Sequence, residues 1–306
     1  MGYRSLHYTR TPKPLTAPYE LLLMIASFKP FDELRPEITH QNKGATAYLV
    51  WGKYALRRPL AEKDSRMIPP IRRNWNPKDF FDELTPAMFT AGPSTVRARR
   101  DKLWPELYTE YDARHLKQEL FNRNLIATNE AEAFFSAWAA DEERHTDSFI
   151  RIMELVAGES EKDLRDRLEA RSHSFSAINE YLKDEFSLIV MIAFDEMCTC
   201  RAYAADREFY AGLGSSFLRC LREVIADEAV HSMNAVNVLR ARYCERIPEI
   251  GEILDSIIRS VGDDPDYTGT FVLDYFGGNY TKQMFANCRA AVLRNVAKPL
   301  KAAVTD

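Results

Sequence analysis

The chain has 306 residues, 46% of them hydrophobic and 28% charged, with a net charge of −4; this is a globular composition with length for a substantial core, and its charge gives no general attraction to nucleic acid or anionic lipid. Its longest apolar runs, 21–28 and 188–194, fall well short of the ~20 residues that span a bilayer, and no small-residue cleavage site follows the first of them. Five cysteines without a CxxC pair speak against a disulfide framework or zinc site and for a reducing, cytoplasmic setting.

Prolines from Pro12 to Pro93 break residues 1–94 into short pieces, so an irregular amino-terminal extension packed on the rest is expected, with one short amphipathic helix at 19–28. From Ser94 the pattern becomes helical. Ser94 or Thr95 is placed to cap a helix running to about Leu125, with a kink at Pro105. Thr128 or Asn129 caps the next, which Gly158 stops. There Phe135, Trp138, Glu142, His145, Phe149 and Ile152 form one stripe. A weaker helix follows at 161–169, and a long one is expected over 177–211 with Ile189, Ile192, Glu196, Thr199 and Tyr203 aligned and Gly212 and Gly214 ending it. The segment 215–244 aligns Leu221, Val224, Glu228, His231, Ala235 and Val238. A short helix after Pro248, a turn at 262–265 and a helix over 280–297 complete the chain. The expectation is an all-α helical bundle over 95–306 behind the extension of 1–94.

These apolar stripes are interrupted by acids and imidazoles, which are costly to bury unless paired or bound to a metal. Asp141–His145 and Asp227–His231 both read DExxH. Residues i and i+3 share a helix face, so each Glu and His can grip a metal from one side. Two such pairs, with one glutamate from each of two further helices, make the carboxylate-bridged di-metal pattern of ferritin-like bundles. Mixed carboxylate and imidazole donors suit iron.

Glu37–His40 is a third ExxH, in the proline-broken region, and marks what chance alone produces. The third helix should contribute Glu196, which lies on the apolar stripe, in preference to Asp195. For the first helix, the level facing Glu142 across the turn at 126–128 favours Glu110, with Glu106 one turn away as the alternative. Asp141 and Asp227 are natural acceptors for the distal N–H of the ligating histidines. Thr199, one turn after Glu196, either offers a hydroxyl to oxygen or bonds back to its own helix. His115 reads as a packed or surface histidine.

The segment 133–147, AFFSAWAADEERHTD, resembles the second ligand helix of the soluble acyl-carrier-protein desaturases, with its EExRH core. Glu196–Thr199 is similar to that family's ExxT, 225–231 (IADEAVH) to its IAxDExRH segment, and 74–80 (NWNPKDF) to its WxPxDF segment. Thr109-Glu110 resembles the threonine–glutamate pair on the family's first ligand helix, which supports Glu110 over Glu106. The chain departs from the family at Ala229-Val230, in a shorter loop between the first two ligand helices, and throughout 1–70. Val224 stands where some p-aminobenzoate N-oxygenases carry an extra histidine, and Phe149 where radical-bearing ribonucleotide reductase subunits need tyrosine.

The resemblance implies two iron ions held by Glu110, Glu142, His145, Glu196, Glu228 and His231, with Thr199 acting in oxygen activation. It also implies O2 as co-substrate, an external electron donor such as ferredoxin, a homodimer, and desaturation or hydroxylation of an acyl chain on an acyl carrier protein. Candidate channel walls are Phe134, Phe135, Trp138, Met191, Phe194 and Met197. A candidate landing patch for an acidic carrier comprises Arg72, Arg73, Arg97, Arg99, Arg100 and Lys102. The alternatives are N-oxygenation or another oxidation of a small metabolite, and a ferritin-like metal-binding protein with no organic substrate.

Overall fold

The computed structural model describes residues 69–260 and 280–298. Contacts divide the chain into Met1–Ser65 and Arg66–Asp306, and every described residue belongs to the second unit. The expected helix at 19–28, the Glu37–His40 match and the turn at 262–265 lie outside the described residues. Among the described residues there is no strand, and the fold is an all-α helical bundle.

A single turn, α1 (Lys78–Phe81), and a 3-10 turn at Pro86–Phe89 precede α2 (Pro93–Asn122). The start of α2 differs from expectation: Gly92 is its N-cap and Pro93 its first residue. Proline fits there because its fixed φ suits a first turn whose N–H has no helical partner. The helix continues through Pro105. The next helix, α3 (Asn129–Ala157), begins with the Thr128 hydroxyl accepting from the Ala131 amide at 3.2 Å. It ends at Gly158, whose φ of 71° favours glycine.

After α4 (Glu161–Glu169) the helix expected over 177–211 is resolved into three parts: a 3-10 turn at Ser176–Ile178, α5 (Glu185–Ala205) and α6 (Arg207–Leu213). Asp184 starts α5 by accepting from the Ser187 amide at 2.7 Å, a local cap that outcompetes continuation from upstream. Asp206 (φ −85°, ψ 3°) separates α5 from α6, and Gly214 rather than Gly212 ends the run, at φ 141°. Then come α7 (Ser215–Arg242), a 3-10 segment at Cys244–Glu249, α8 (Ile250–Ser260) and α9 (Lys282–Ala297).

The bundle core is α2, α3, α5 and α7. Helix α5 packs most extensively on α7, α2 on α3, and α3 bridges the two pairs through α7; α9 crosses α5 and α7. From Leu188 to Cys200 every residue of α5 is buried; apolar side chains surround this stretch of the helix, and Asp195, Glu196 and Thr199 are enclosed among them. Glu185 at its start accepts from the Thr128 amide (2.9 Å), the Thr128 hydroxyl (2.7 Å) and the Tyr243 hydroxyl (2.6 Å). That one carboxylate therefore fixes the α2–α3 turn relative to α5 and the end of α7. No described helix is long and apolar enough to cross a membrane.

Candidate metal centre

Four helices deliver six ionisable side chains to one place: Glu110 from α2, Glu142 and His145 from α3, Glu196 from α5, and Glu228 and His231 from α7. None is more than 1% exposed. They form two overlapping groups, Glu110–Glu142–His145–Glu228 and Glu142–Glu196–Glu228–His231. Within each group, one donor atom per residue lies within 4.8 Å of all the others, close to the spacing imposed by ligands about 2.1 Å from a common ion. Glu142 and Glu228 belong to both groups, so each is placed to bridge. Glu110 and Glu196 each belong to one.

The contacts cannot all be hydrogen bonds. Nδ1 of His145 lies 3.2 Å from Glu110 Oε2, 3.5 Å from Glu142 Oε2 and 3.2 Å from Glu228 Oε1. Nδ1 of His231 lies 3.1 Å from Glu142 Oε1, 3.2 Å from Glu196 Oε2 and 3.3 Å from Glu228 Oε2. One ring nitrogen carries at most one proton, so three carboxylates facing it call for a cation between them. Both oxygens of Glu142 and Oε1 of Glu228 are buried without a hydrogen bond.

The electrostatics agree. Burial and the neighbouring Glu110 push the Glu142 carboxyl up to about 8, and burial with Glu228 raises Glu196 well above the usual range. Burial disfavours charge on His145, yet Glu228, Asp227, Glu110 and Glu142 outweigh it and hold that imidazole well above its ordinary value. Glu196, Asp141 and Glu142 do the same for His231. Glu110 is buried too, but His145 lowers it. Protons thus occupy positions that divalent cations would take, and the residues fit a two-metal site.

The distal ring nitrogens define which imidazole nitrogen faces the cluster. His145 Nε2 lies 3.2 Å from Asp227 Oδ2, and His231 Nε2 lies 3.4 Å from Asp141 Oδ2. Both aspartates titrate below the usual range despite burial, held down by the histidines and nearby arginines. They are therefore acceptors, Nε2–H donates, and Nδ1 is the ring nitrogen that faces the cluster, where a metal displacing its proton would meet the lone pair. Asp227 also accepts from Trp75 Nε1 and Arg144, each at 2.7 Å. Asp141 accepts from Arg72 at 2.8 Å. Trp75 stacks on His145 with centroids 6.0 Å apart, and Arg144 lies over Trp75.

Two neutral donors hold the outer oxygens of the non-bridging glutamates. Trp138 Nε1 donates to Glu196 Oε1 at 2.7 Å, and the Tyr203 hydroxyl donates to Glu110 Oε1. Each leaves the inner oxygen directed at the cluster. Sequence reasoning assigned neither residue this role, nor Trp75 and Arg144 theirs. A phenol or indole on a buried stripe needs an acceptor, and Trp138 precedes Glu142 by four residues while Tyr203 follows Glu196 by seven, which was the available signal.

Glu106, the alternative to Glu110, stands apart: it accepts from Tyr210 and pairs with Lys102 at 3.2 Å. Asp195 is buried but outside both groups. Thr199 is 7% exposed on α5, and among the described residues its hydroxyl neither bonds back to its helix nor joins the cluster's hydrogen bonds. His115 stacks on His173 with centroids 4.1 Å apart, away from the cluster.

The candidate landing patch is largely engaged. Arg72 and Arg73 brace Asp141, Glu223 and Asp227, Arg97 and Arg100 pair with Asp101, Arg99 bonds the Phe89 carbonyl, and Lys102 pairs with Glu106 and Asp206. Phe134, Phe135, Met191, Phe194 and Met197 are packed in the core. A cleft of about 210 Å³ between α2 and α3 has Glu110 and Glu142 in its wall, with Arg114, Lys117 and Thr146 beside them and Arg165 of α4 opposite.

Comparison of the chain with protein-family models, curated proteins and solved structures finds no match in any of the three.

Proposed function

We propose that this chain is an O2-dependent, non-haem di-iron oxidoreductase acting on an organic molecule. The observation that carries the proposal is the pair of imidazoles, each facing three carboxylates through Nδ1 and anchored through Nε2. Two iron ions held there would supply electrons to O2 and the oxidising power to act on an otherwise unreactive bond. Glu142 and Glu228 would bridge them, and Glu110 with His145 and Glu196 with His231 would complete the two ends. Absence of thiolates from the donor set favours iron or manganese over softer metals.

The protein's own groups set the conditions for that chemistry. Burial of all six donors excludes bulk water, Asp141 and Asp227 fix the imidazole tautomers, and Trp138 and Tyr203 keep the non-bridging carboxylates from turning. Thr199 is the hydroxyl we assign to oxygen, on its placement one turn past Glu196 and its resemblance to the desaturase ExxT. Reducing equivalents would come from an external donor such as a ferredoxin.

The motif resemblance favours a carrier-bound acyl chain as substrate. The cleft between α2 and α3 favours the second reading, a small metabolite: it is short and polar, and the cations that would receive an acidic carrier are mostly paired. The test is metal analysis of iron-grown protein, expected to find about two irons per chain, with Glu228→Ala together with His231→Ala abolishing them. Unchanged metal in that variant would sink the assignment. Reduced protein should consume O2 faster once its organic substrate is added; a rate indifferent to every acyl or small-molecule candidate would favour metal storage.

A further inference from the structure

The cleft between α2 and α3 has a chemical polarity of its own. Glu110, Arg114 and Lys117 follow one another on α2 at steps of four and three, so they share a face, and all three line the cleft. Glu110 is at the buried end, whereas Arg114 and Lys117 are exposed, about 6 and ~10 Å further along the helix axis. Opposite them, the Arg165 guanidinium is committed to Asp147 at 2.8 Å and Glu161 at 2.7 Å. Arg114 rests on the Tyr111 ring, 4.7 Å from its centroid. Among the described residues neither Arg114 nor Lys117 has an ion-pair partner. Glu143 is the one wall carboxylate outside the metal cluster.

We propose that this cleft binds a small free carboxylate, its anionic end on Arg114 and Lys117 and its other end beside Glu110 and Glu142. A guanidinium fork matches a carboxylate's two oxygens, and the neighbouring ammonium adds a point charge. An apolar cavity of roughly 150 Å³ takes up benzene, so a cleft of about 210 Å³ holds a ring or short chain together with its charged group. The separation along α2 puts the reacting end of such a molecule one to two helical turns from its anchor. The inference names a substrate class for the di-iron reading and rests on it for the chemistry, but the binding step stands on the two cations alone.

The test titrates full-length, iron-loaded protein with hexanoate and with its neutral isostere hexanamide by calorimetry, with metal content measured in each sample. Wild type should bind hexanoate in preference to hexanamide. Arg114→Gln and Lys117→Gln should each weaken hexanoate about tenfold or more, Lys117→Glu should abolish its binding, and hexanamide should be indifferent to all three. Both positions are at the surface, so unchanged circular dichroism and metal content would show that fold and centre persist. Equal affinity of wild type for the two ligands overturns the inference. So does hexanoate binding that survives in Arg114→Gln/Lys117→Gln, which would put the carboxylate on the metals themselves, and so does absence of hexanoate binding. Two irons without carboxylate preference would leave the di-iron reading standing and remove this one; carboxylate preference without metal would do the reverse.

Discussion

His145 on α3 is anchored by Asp227 on α7, with 3.2 Å between Nε2 and Oδ2, so the imidazole of one DExxH segment is held by the aspartate of the other. Asparagine in place of Asp227 can offer an amide N–H to Nε2, which would move the ring proton to Nδ1 and point it at the cluster. Asp227→Asn is therefore expected to weaken metal binding about 10- to 100-fold, more at the His145 end than at the His231 end. Competition with a chelator measures it, and wild-type affinity in the variant would refute the anchoring role.

Metal loading should release protons. In metal-free protein Glu142 is pushed up to about 8, and Glu196 and both imidazoles are raised as well, so the site is biased towards holding protons that bound metal must displace. About two or more protons per chain are expected to leave on filling both ends, and affinity should rise as pH increases through neutrality. Calorimetry in buffers of different ionisation enthalpy counts them; binding without proton release would contradict the charge picture drawn above.

Tyr203→Phe removes the donor that holds Glu110 Oε1 and leaves that buried oxygen unpaired. The metal-free protein should lose about 1–3 kcal/mol of stability, read from urea unfolding. The metal count should stay at the wild-type value, because the inner oxygen still faces the cluster. A loss of both metals would instead make Tyr203 indispensable to assembly of the site.

The stripes of α3 and α7 were legible because burying an acid at helical spacing has few explanations, and Glu142, His145, Glu228 and His231 lie where that spacing places them. Glu110 could be separated from Glu106 only by a turn-counting argument and a motif resemblance, since both lie on α2 one turn apart; the structure distinguishes them by what each one faces. The break of 177–211 into pieces was missed because Asp184 and Asp206 act locally, through a cap and a backbone turn, inside a segment whose composition suits a helix throughout. Arg72, Arg73 and Trp75 were beyond periodicity altogether. They come from a segment outside any helix, and their bonds to Asp141 and Asp227 span more than sixty positions of sequence. That same segment explains why Arg72 and Arg73 looked like free surface cations when read as a run of charge.

A pH effect on stability follows from Glu106, which is 10% exposed at its side chain. Burial raises its carboxyl to about 7, against the opposing pull of Lys102. Its folded value lies above its unfolded one, so the stability it contributes is full below about pH 4.5 and is lost as pH rises through about 7, a change of order 3 kcal/mol. Glu106→Gln should flatten that part of the stability–pH curve, while Lys102→Met should steepen it. Parallel curves for wild type and Glu106→Gln in denaturant titrations would show that the group does not titrate there.

Because α5 is enclosed along Leu188–Cys200, its amide hydrogens should be among the last in the bundle to exchange with solvent. Glu196 and Thr199 then ride on the stillest segment, while Glu110 rides on a helix whose outer face opens to the cleft. On the proposed route through the cleft, the breathing that admits a molecule would fall on the Glu110 side, and the two ends of the centre, alike in their ligands, would differ in how freely they rearrange.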